Sequence, residues 1–482
     1  MGTTIVWFRR DLRLADNPAL NAAVRRGGPV LPVFIWSPDE DGDWPAGAAS
    51  RVWLQHSVQN LDEALRRAGA PLIVRAGAAE ASLGRLIAET GAGAVYWNRC
   101  YEPAVLARDA GIKAALRDAG IEAQSFKAGL LFEPAEVRTR SGGPFKVFTP
   151  FWRECMRLPA PGEPLPAPAA LTPSLRCPPR LDLAALGLAP AQAWPGKLMR
   201  HWSVGGEAAR ERLDRFLAEA SDGYENRRDL PGEASVSRLS AHLHFGEISP
   251  RQVWSAVNCH EQAQGRMSPG PGATAFLRQL IWREFAHHLL YHFPRTPTEP
   301  LRAEFARFAW RDDEHALRLW QRGMTGYPII DAGMRELWHT GWMHNRVRML
   351  SASFLVKGLL LHWLHGARWF WDTLIDADLA NNTLGWQWTA GCGADAAPYF
   401  RIFNPVAQGQ RFDPAGHYVR RWVPELAALP DRHLHAPWTA SAEVLAGANV
   451  RLGDAYPAPC IDHPAARQRA LAAWHRMRNA NN

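Results

Sequence analysis

The first 130 residues of this chain repeat one local pattern, and that pattern limits the fold more than any other feature. "TIVWF", "VLPVFIW", "PLIV" and "AVYW" are short apolar runs, and the stretches 50–68, 80–90 and 103–119 between them carry apolar residues at helical spacing. Short apolar runs of this kind read as buried strands. Strands alternating with helices close into a parallel, doubly wound sheet, because parallel neighbours need a crossover element. Ligands on such sheets sit outside the carboxyl ends of the strands. The segment after the first run is "FRRDLRLADNPAL" and contains no GxGxxG, so the ordinary dinucleotide fingerprint is absent.

The texture then changes. Residues 158–173, "LPAPGEPLPAPAALTP", hold six prolines and read as a stiff, extended connector. From about residue 206 the patterns are long and helical: "GEAARERLDRFLAEA", "ATAFLRQLIWREFAHHLLYHF" and "IIDAGMRELWHTGWMHNRVRMLSASFLVKGLLLHWL". The expectation is α/β plus all-α: an α/β domain over 1–130, a connector over 131–205 and a helical domain over 206–482. A chain of 482 residues, 47% apolar, suffices for two or three packed domains. The formal charge of +8 points to an anionic partner, nucleic acid before a membrane surface. Six scattered cysteines form no CxxC pair, so neither a zinc site nor a disulfide framework is indicated. No apolar run reaches about 20 residues. A cytoplasmic protein without a membrane span is expected.

Walker A, GxSxG and HExxH are absent. His287 and His288 are adjacent, and neighbouring helical side chains diverge by about 100°, which argues against a shared metal. Ten of the 22 tryptophans fall between residues 276 and 399, a density that packing alone rarely calls for; they suit stacking surfaces or redox-active indoles. In "GWMHNRVRM", helical spacing sets Trp342, Asn345, Arg348 and Met349 on one face and turns Arg346 away toward another partner. "DADLANNTLGWQW" offers Asp376, Asp378, Asn381 and Asn382, either as helix caps or as acceptors for ribose hydroxyls and ring N–H groups. Trp386 and Trp388 there point to nearly opposite faces. Ser235, Ser237 and Ser240 precede a helix and suit either capping or a phosphate. Arg401, Arg411, Arg420 and Arg421 interleave with aromatics as nucleic-acid surfaces do.

Together these segments resemble the photolyase/cryptochrome family, specifically the bacterial photolyases for cyclobutane pyrimidine dimers, class I or class III-like. The likeness runs from "VWFRRDLRLADNPAL" through "SRLSAHLHFGEISPRQV", "LIWREF", "TGYPIIDAGMREL", "GWMHNRVRM", "DADLANN", "WQW" and "YFRIFNP" to "FDPAGHYVRRWVPEL". It implies FAD in the helical domain. Tyr224, Val236, Ser237, Arg238, Leu239 and Ser240 would hold its phosphates, with Val236 where the family commonly has Thr. Arg283, Asn345, Arg348, Asp376 and Asp378 would line its other parts, and Asn382 would face the flavin. Trp386, Trp363 and Trp310 match an electron-carrying tryptophan chain. The implied reaction is light-driven electron transfer from reduced flavin to a flipped-out pyrimidine dimer. Trp282 and Trp388 would pack on that lesion beside Asn345 and Met349, while Arg228, Arg346 and Arg401 would contact phosphates of UV-damaged DNA. An antenna chromophore is implied too, methenyltetrahydrofolate first and a deazaflavin second, with Trp36 and Glu102 as pocket residues.

One position departs from the pattern. Gln279 stands where the cyclobutane-dimer enzymes carry a Glu against the lesion and the cofactor. Photolyases for (6-4) lesions carry Gln there, yet they place a catalytic His where this chain has Asn345. The mixture favours cyclobutane-dimer repair and leaves altered lesion preference and a cryptochrome-type blue-light receptor as alternatives. The Asn345–Arg346–Arg348–Met349 set, the basic balance and the absence of a long C-terminal extension favour repair. A nucleic-acid-binding protein without catalysis leaves Asp376, Asp378 and Asn382 unexplained. A monomer without an obligate protein partner, associated with the nucleoid through DNA, is expected.

Overall fold

The computed structural model describes residues 2–188, 193–396, 398, 399 and 401–479. Five parallel strands, β1 (Thr4–Phe8), β2 (Val30–Trp36), β3 (Ile73–Ala76), β4 (Ala94–Asn98) and β5 (Glu122–Phe126), form a sheet in the order β3-β2-β1-β4-β5. β1 pairs with both β2 and β4 in parallel register. Chain direction across the sheet reverses there, so β1 and β4 flank the topological switch point. Alternate residues Ile5, Trp7, Leu31, Val33, Ile35, Val95 and Trp97 share a core with Leu83, Leu86, Ile112 and Leu116 from the crossover helices. Burying each large aliphatic contributes roughly 1.5–3 kcal/mol. The proline-rich strap is tied to this layer, with Leu171 N–H donating to Ala68 and Val30 N–H to Thr172.

The chain divides into two compact units, which do not follow the boundaries expected at 130 and 205. The first holds residues 1–222, 237–294 and 375–380; the second holds 223–236, 295–374 and 381–482. The physical reason in the first unit is packing. The Pro271–His292 helix lies against the Phe148–Cys155 helix, and Glu284 on it accepts the N–H groups of Leu131 and Phe132, both at 3.0 Å. The close approach of Gly246, at φ +68°, to the Arg10 carbonyl leaves no room for a Cβ. These helices therefore belong with the sheet and not with the later helices.

The second unit is helical. The Pro328–Thr340 helix packs on Asn345–Ser353 and on His417–Trp422. Its buried Asp331 accepts from Thr325 N–H at 2.7 Å, Thr325 Oγ1 at 2.6 Å and the Tyr456 hydroxyl at 2.6 Å, so the buried carboxylate is fully engaged. No helix among the described residues is long and apolar enough to cross a membrane.

Candidate active site

In the first unit a solvent-open cleft lies at the switch point. Arg10 and Asp11 follow β1, and Arg99, Cys100, Tyr101 and Glu102 follow β4. Such a crevice is where this architecture presents ligands. Arg10 and Glu102 form an ion pair across it, and Glu102 also accepts Tyr101 N–H at 3.2 Å. Trp36, at the end of β2, is half-buried and lies outside the lining residues of this cleft.

Asn98, Gly129, His244, Arg283, His287 and Asp378 complete the lining. Arg283 Nη1 donates to the Gly129 carbonyl at 2.6 Å. Asp378 precedes the Leu379–Ala390 helix, and its Oδ2 lies 3.5 Å from both His244 Nδ1 and His287 Nε2. Burial works against its charge, but the two imidazoles hold Asp378 well below the usual carboxylate range. Asp376 is likewise buried. His288 turns away from His287: its Nδ1 faces the Pro134 carbonyl at 3.2 Å and its Nε2 accepts Phe145 N–H at 3.0 Å. His244 and His287 were not among the expected cofactor residues; the adjacent histidines and "SAHLHF" were the only signals.

Further along the same helix, Gln279 donates from Nε2 to the Ala275 carbonyl at 3.2 Å. Trp282 is half-buried with one face stacked on Phe148, centroids 3.6 Å apart and planes 5° apart. Leu239 is buried, Ser237 is half-buried, Ser240 is exposed and Arg238 takes a left-handed φ of +52°, a conformation that costs a non-glycine residue energy and concentrates at functional sites. The helix that follows, Ser240–Phe245, has six residues, and its N-cap position is Leu239, whose side chain makes no cap.

In the second unit Tyr224 is buried, and burial pushes its hydroxyl up to about 12. Val236 is half-buried. Trp342 does not share a helical face with Asn345. Gly341, at φ +69°, closes one helix, and the next begins at Asn345 under the His344 cap. Trp342 is buried in the link between them, yet the Arg348 guanidinium still reaches over its ring at 5.9 Å. Asn345 is exposed, with its amide nitrogen 3.9 Å from Met349 Sδ. Arg346 is not left free for another partner: it pairs with Asp229 at 2.7 Å and lies over Phe412 at 4.4 Å. Arg228 is half-buried and has no ion-pair partner among the described residues. Arg401 is exposed, and its carbonyl accepts from buried Lys357 at 3.1 Å.

The tryptophans are ordered around the Trp363–Thr373 helix. Trp363 is its buried first residue. Trp386 packs on Gly366, one turn on, and meets Phe370 edge-on at 5.0 Å. His362 lies 5.7 Å from Trp363 and 5.4 Å from half-buried Trp310. Asn382, one turn before Trp386, donates to the Ala367 carbonyl at 3.0 Å. Trp388 is half-buried.

Residues 4–169 match the DNA photolyase family, and residues 276–476 match the FAD binding domain of DNA photolyase. The chain is 48% identical to the deoxyribodipyrimidine photo-lyase of Agrobacterium fabrum, over 98% of this chain and 97% of that one. It is 40% identical to cryptochrome-1 of Arabidopsis thaliana, over 99% of this chain and 70% of that protein. The crystal structure of a bacterial class III photolyase from Agrobacterium tumefaciens superposes with a TM-score of 0.95 at 46% identity, covering 99% of this chain and 98% of the other. Each unit taken by itself holds donor and acceptor types that suit FAD: in the first, buried Asp376 and Asp378 accept from hydroxyl and ring N–H groups and Arg283 donates to carbonyl or phosphate oxygens, and in the second Arg348 donates and Asn382 can do both. On these grounds the chain belongs to the DNA photolyase/cryptochrome family.

Proposed function

We propose that this protein repairs cyclobutane pyrimidine dimers in UV-damaged DNA in a light-driven reaction. The observation that carries the reading is its 48% identity, over nearly all of both chains, with a protein named for that reaction. FAD, when bound, supplies the photoexcited electron. Tyr224, Val236, Ser237, Arg238, Leu239 and Ser240 hold its phosphates. Arg283, Asn345, Arg348, Asp376 and Asp378 orient the rest, with Asn382 toward the flavin and Gln279 toward both cofactor and lesion. Trp386, Trp363 and Trp310 would relay electrons through the protein toward bound FAD; their order on and beside one helix supports this role.

A base inside the stack cannot reach a buried cofactor, so the dimer is extruded. Asn345 and Met349, adjacent at the start of one helix, receive it with Trp282 and Trp388. Trp282 suits that task because Phe148 fixes its plane. Arg228, Arg346 and Arg401 contact phosphates. The antenna chromophore, methenyltetrahydrofolate before a deazaflavin, takes only the side of the cleft formed by the residues that follow β1 and β4, away from Arg283 and Asp378. Glu102 there supports this placement, and Trp36 does not contribute to that lining.

The test is blue-light illumination of FAD-loaded, photoreduced protein with oligonucleotides holding one cyclobutane dimer or one (6-4) lesion. Restoration of the cyclobutane dimer alone is expected. Failure on both would refute the proposal and favour the receptor reading; repair of the (6-4) lesion alone would reassign the substrate.

A further inference from the structure

Leu360 is a backbone outlier in the second unit. It is buried, yet its φ is +61°, in the left-handed region that a bulky side chain occupies only at a cost. Such strain persists where the surroundings fix it, and it gathers at functional sites. Here it accompanies a turn that lays the chain beside the segment holding Trp310. The Leu360 carbonyl accepts Arg311 N–H at 2.8 Å, and Leu361 forms a parallel bridge with Arg311. The next residue, His362, is thereby set beside Trp310. It also caps the helix that begins at Trp363, its Nδ1 accepting Leu364 N–H at 3.2 Å. The cap fixes the ring and its tautomer, with the hydrogen on Nε2 in the neutral form. Held in this way, the imidazole lies 5.7 Å from the Trp363 ring, planes 27° apart, and 5.4 Å from the Trp310 ring, planes 67° apart. Trp310 also meets Phe308 at 4.4 Å. Among the described residues, His362 is the only ring in contact with both indoles, which make no ring contact with each other.

We propose that His362 is a positioning residue of the tryptophan chain, bridging Trp363 and Trp310 so that an electron crosses between them through a filled gap. The inference rests on the tryptophan-chain reading above. One electron leaves Trp310 for the Trp363 radical cation, which forms after light absorbed by bound FAD has drawn an electron from the Trp386 end. Trp363 is restored, and half-buried Trp310, now the radical cation, gives its indole proton to water. The imidazole is neither oxidised nor reduced, and no bond on it forms or breaks. It must also stay uncharged, since a cation between the indoles would repel the arriving positive charge. Burial, with His365 beside it, presses His362 down to about 4, so the ring is neutral at neutral pH.

Two substitutions separate the ring from the cap. His362→Asn keeps an acceptor for Leu364 N–H and removes the ring, because Asn is a good N-cap. His362→Phe keeps a ring between the indoles and removes the cap. Transient absorption of protein loaded with oxidised FAD follows the indole radicals, with Trp310→Phe identifying the Trp310 signal. In His362→Asn the Trp363 radical should persist and the Trp310 signal should be lost or delayed, whereas His362→Phe should keep the parent kinetics. Parent kinetics in His362→Asn, or an equal delay in both variants, overturns the proposal. In FAD-free protein, nuclear Overhauser contacts from the His362 ring to both indoles are expected, and contacts to one indole alone overturn it as well. A parent protein that shows both contacts but forms no tryptophan radical under light would refute the chain reading, and the bridge falls with it.

Discussion

Gly366 and Gly385 offer a matched pair of substitutions whose signs should oppose each other. Both lie inside helices, Trp363–Thr373 and Leu379–Ala390. Replacing a helical glycine by alanine stabilises by roughly 0.5–1 kcal/mol when space allows. At Gly385 an added Cβ meets nothing within 4 Å. At Gly366 it would lie 2.6 Å from Trp386 Cζ2, with two other ring carbons closer still. Carbon atoms pack at about 3.5–4.0 Å, so the indole must retreat by about 1 Å or more. Trp386 is 2% exposed and bounded by Phe370 and by Trp320 at 6.2 Å, so the retreat disturbs packed rings. Overpacking of this kind costs roughly 1–3 kcal/mol. The net expectation is Gly385→Ala stabilised by about 0.5–1 kcal/mol and Gly366→Ala destabilised by about 1–2 kcal/mol. Thermal unfolding should read each kcal/mol as roughly 2–4 °C for a domain of this size. Photoreduction of bound flavin should slow in Gly366→Ala alone, because only there is Trp386 displaced. A Gly366→Ala protein at least as stable as its parent would refute the reasoning.

Asp229→Asn should tighten DNA binding by releasing Arg346 from its partner, and a salt titration of affinity would detect the change. Arg228→Ala should weaken binding to all sequences and lower the salt slope by about 1; an unchanged slope removes Arg228 from the phosphate contacts. Burial, opposed by Arg283, pushes Glu284 up to about 7 from 4.5. The folded state therefore binds more protons, and stability falls as pH rises from about 4.5 to about 7, by roughly 3 kcal/mol at most. Glu284→Gln should flatten that slope and be the more stable protein at pH 8; parallel unfolding curves for the two proteins would exclude the assignment. Gln279→Glu should raise the yield of cyclobutane-dimer repair, measured on one defined oligonucleotide, and an unchanged yield would show that the amide serves as well as the carboxyl.

Four strands were legible because buried parallel strands are written as continuous apolar runs. β5 was not: "EAQSF" has one buried residue, Ala123, and lies at the sheet edge. The reading of "GWMHNRVRM" failed at one residue for a local reason. Gly341 in the left-handed region ends a helix, and periodicity cannot be carried across such an end. The Gly–Trp–Met–His spacing before Asn345 held that signal. The ligand crevice was legible as a place, at the carboxyl ends of strands, but not as a set of groups. His244, His287 and Asp378 come from three separate segments, and no local pattern records that they share one oxygen. The ion pair of Arg346 with Asp229, 117 residues away, was invisible for the same reason.

That ion pair changes how the chain's basic character bears on DNA. A formal charge of +8 says nothing about which cations remain available. Arg9 is committed to Asp109, Arg10 to Glu102, Arg251 to Asp16 and Arg346 to Asp229. These partly buried pairs fix side chains in place, and breaking one leaves an uncompensated charge, which is costly. A phosphate must therefore outcompete Asp229 for Arg346, whereas Arg228 has no carboxylate partner among the described residues for it to displace. Electrostatic affinity should then come mainly from cations without carboxylate partners, and the salt slope should be shallower than the arginine count implies. Arg346, stacked on Phe412 and tethered to Asp229, is better suited to setting the position of a strand than to attracting it.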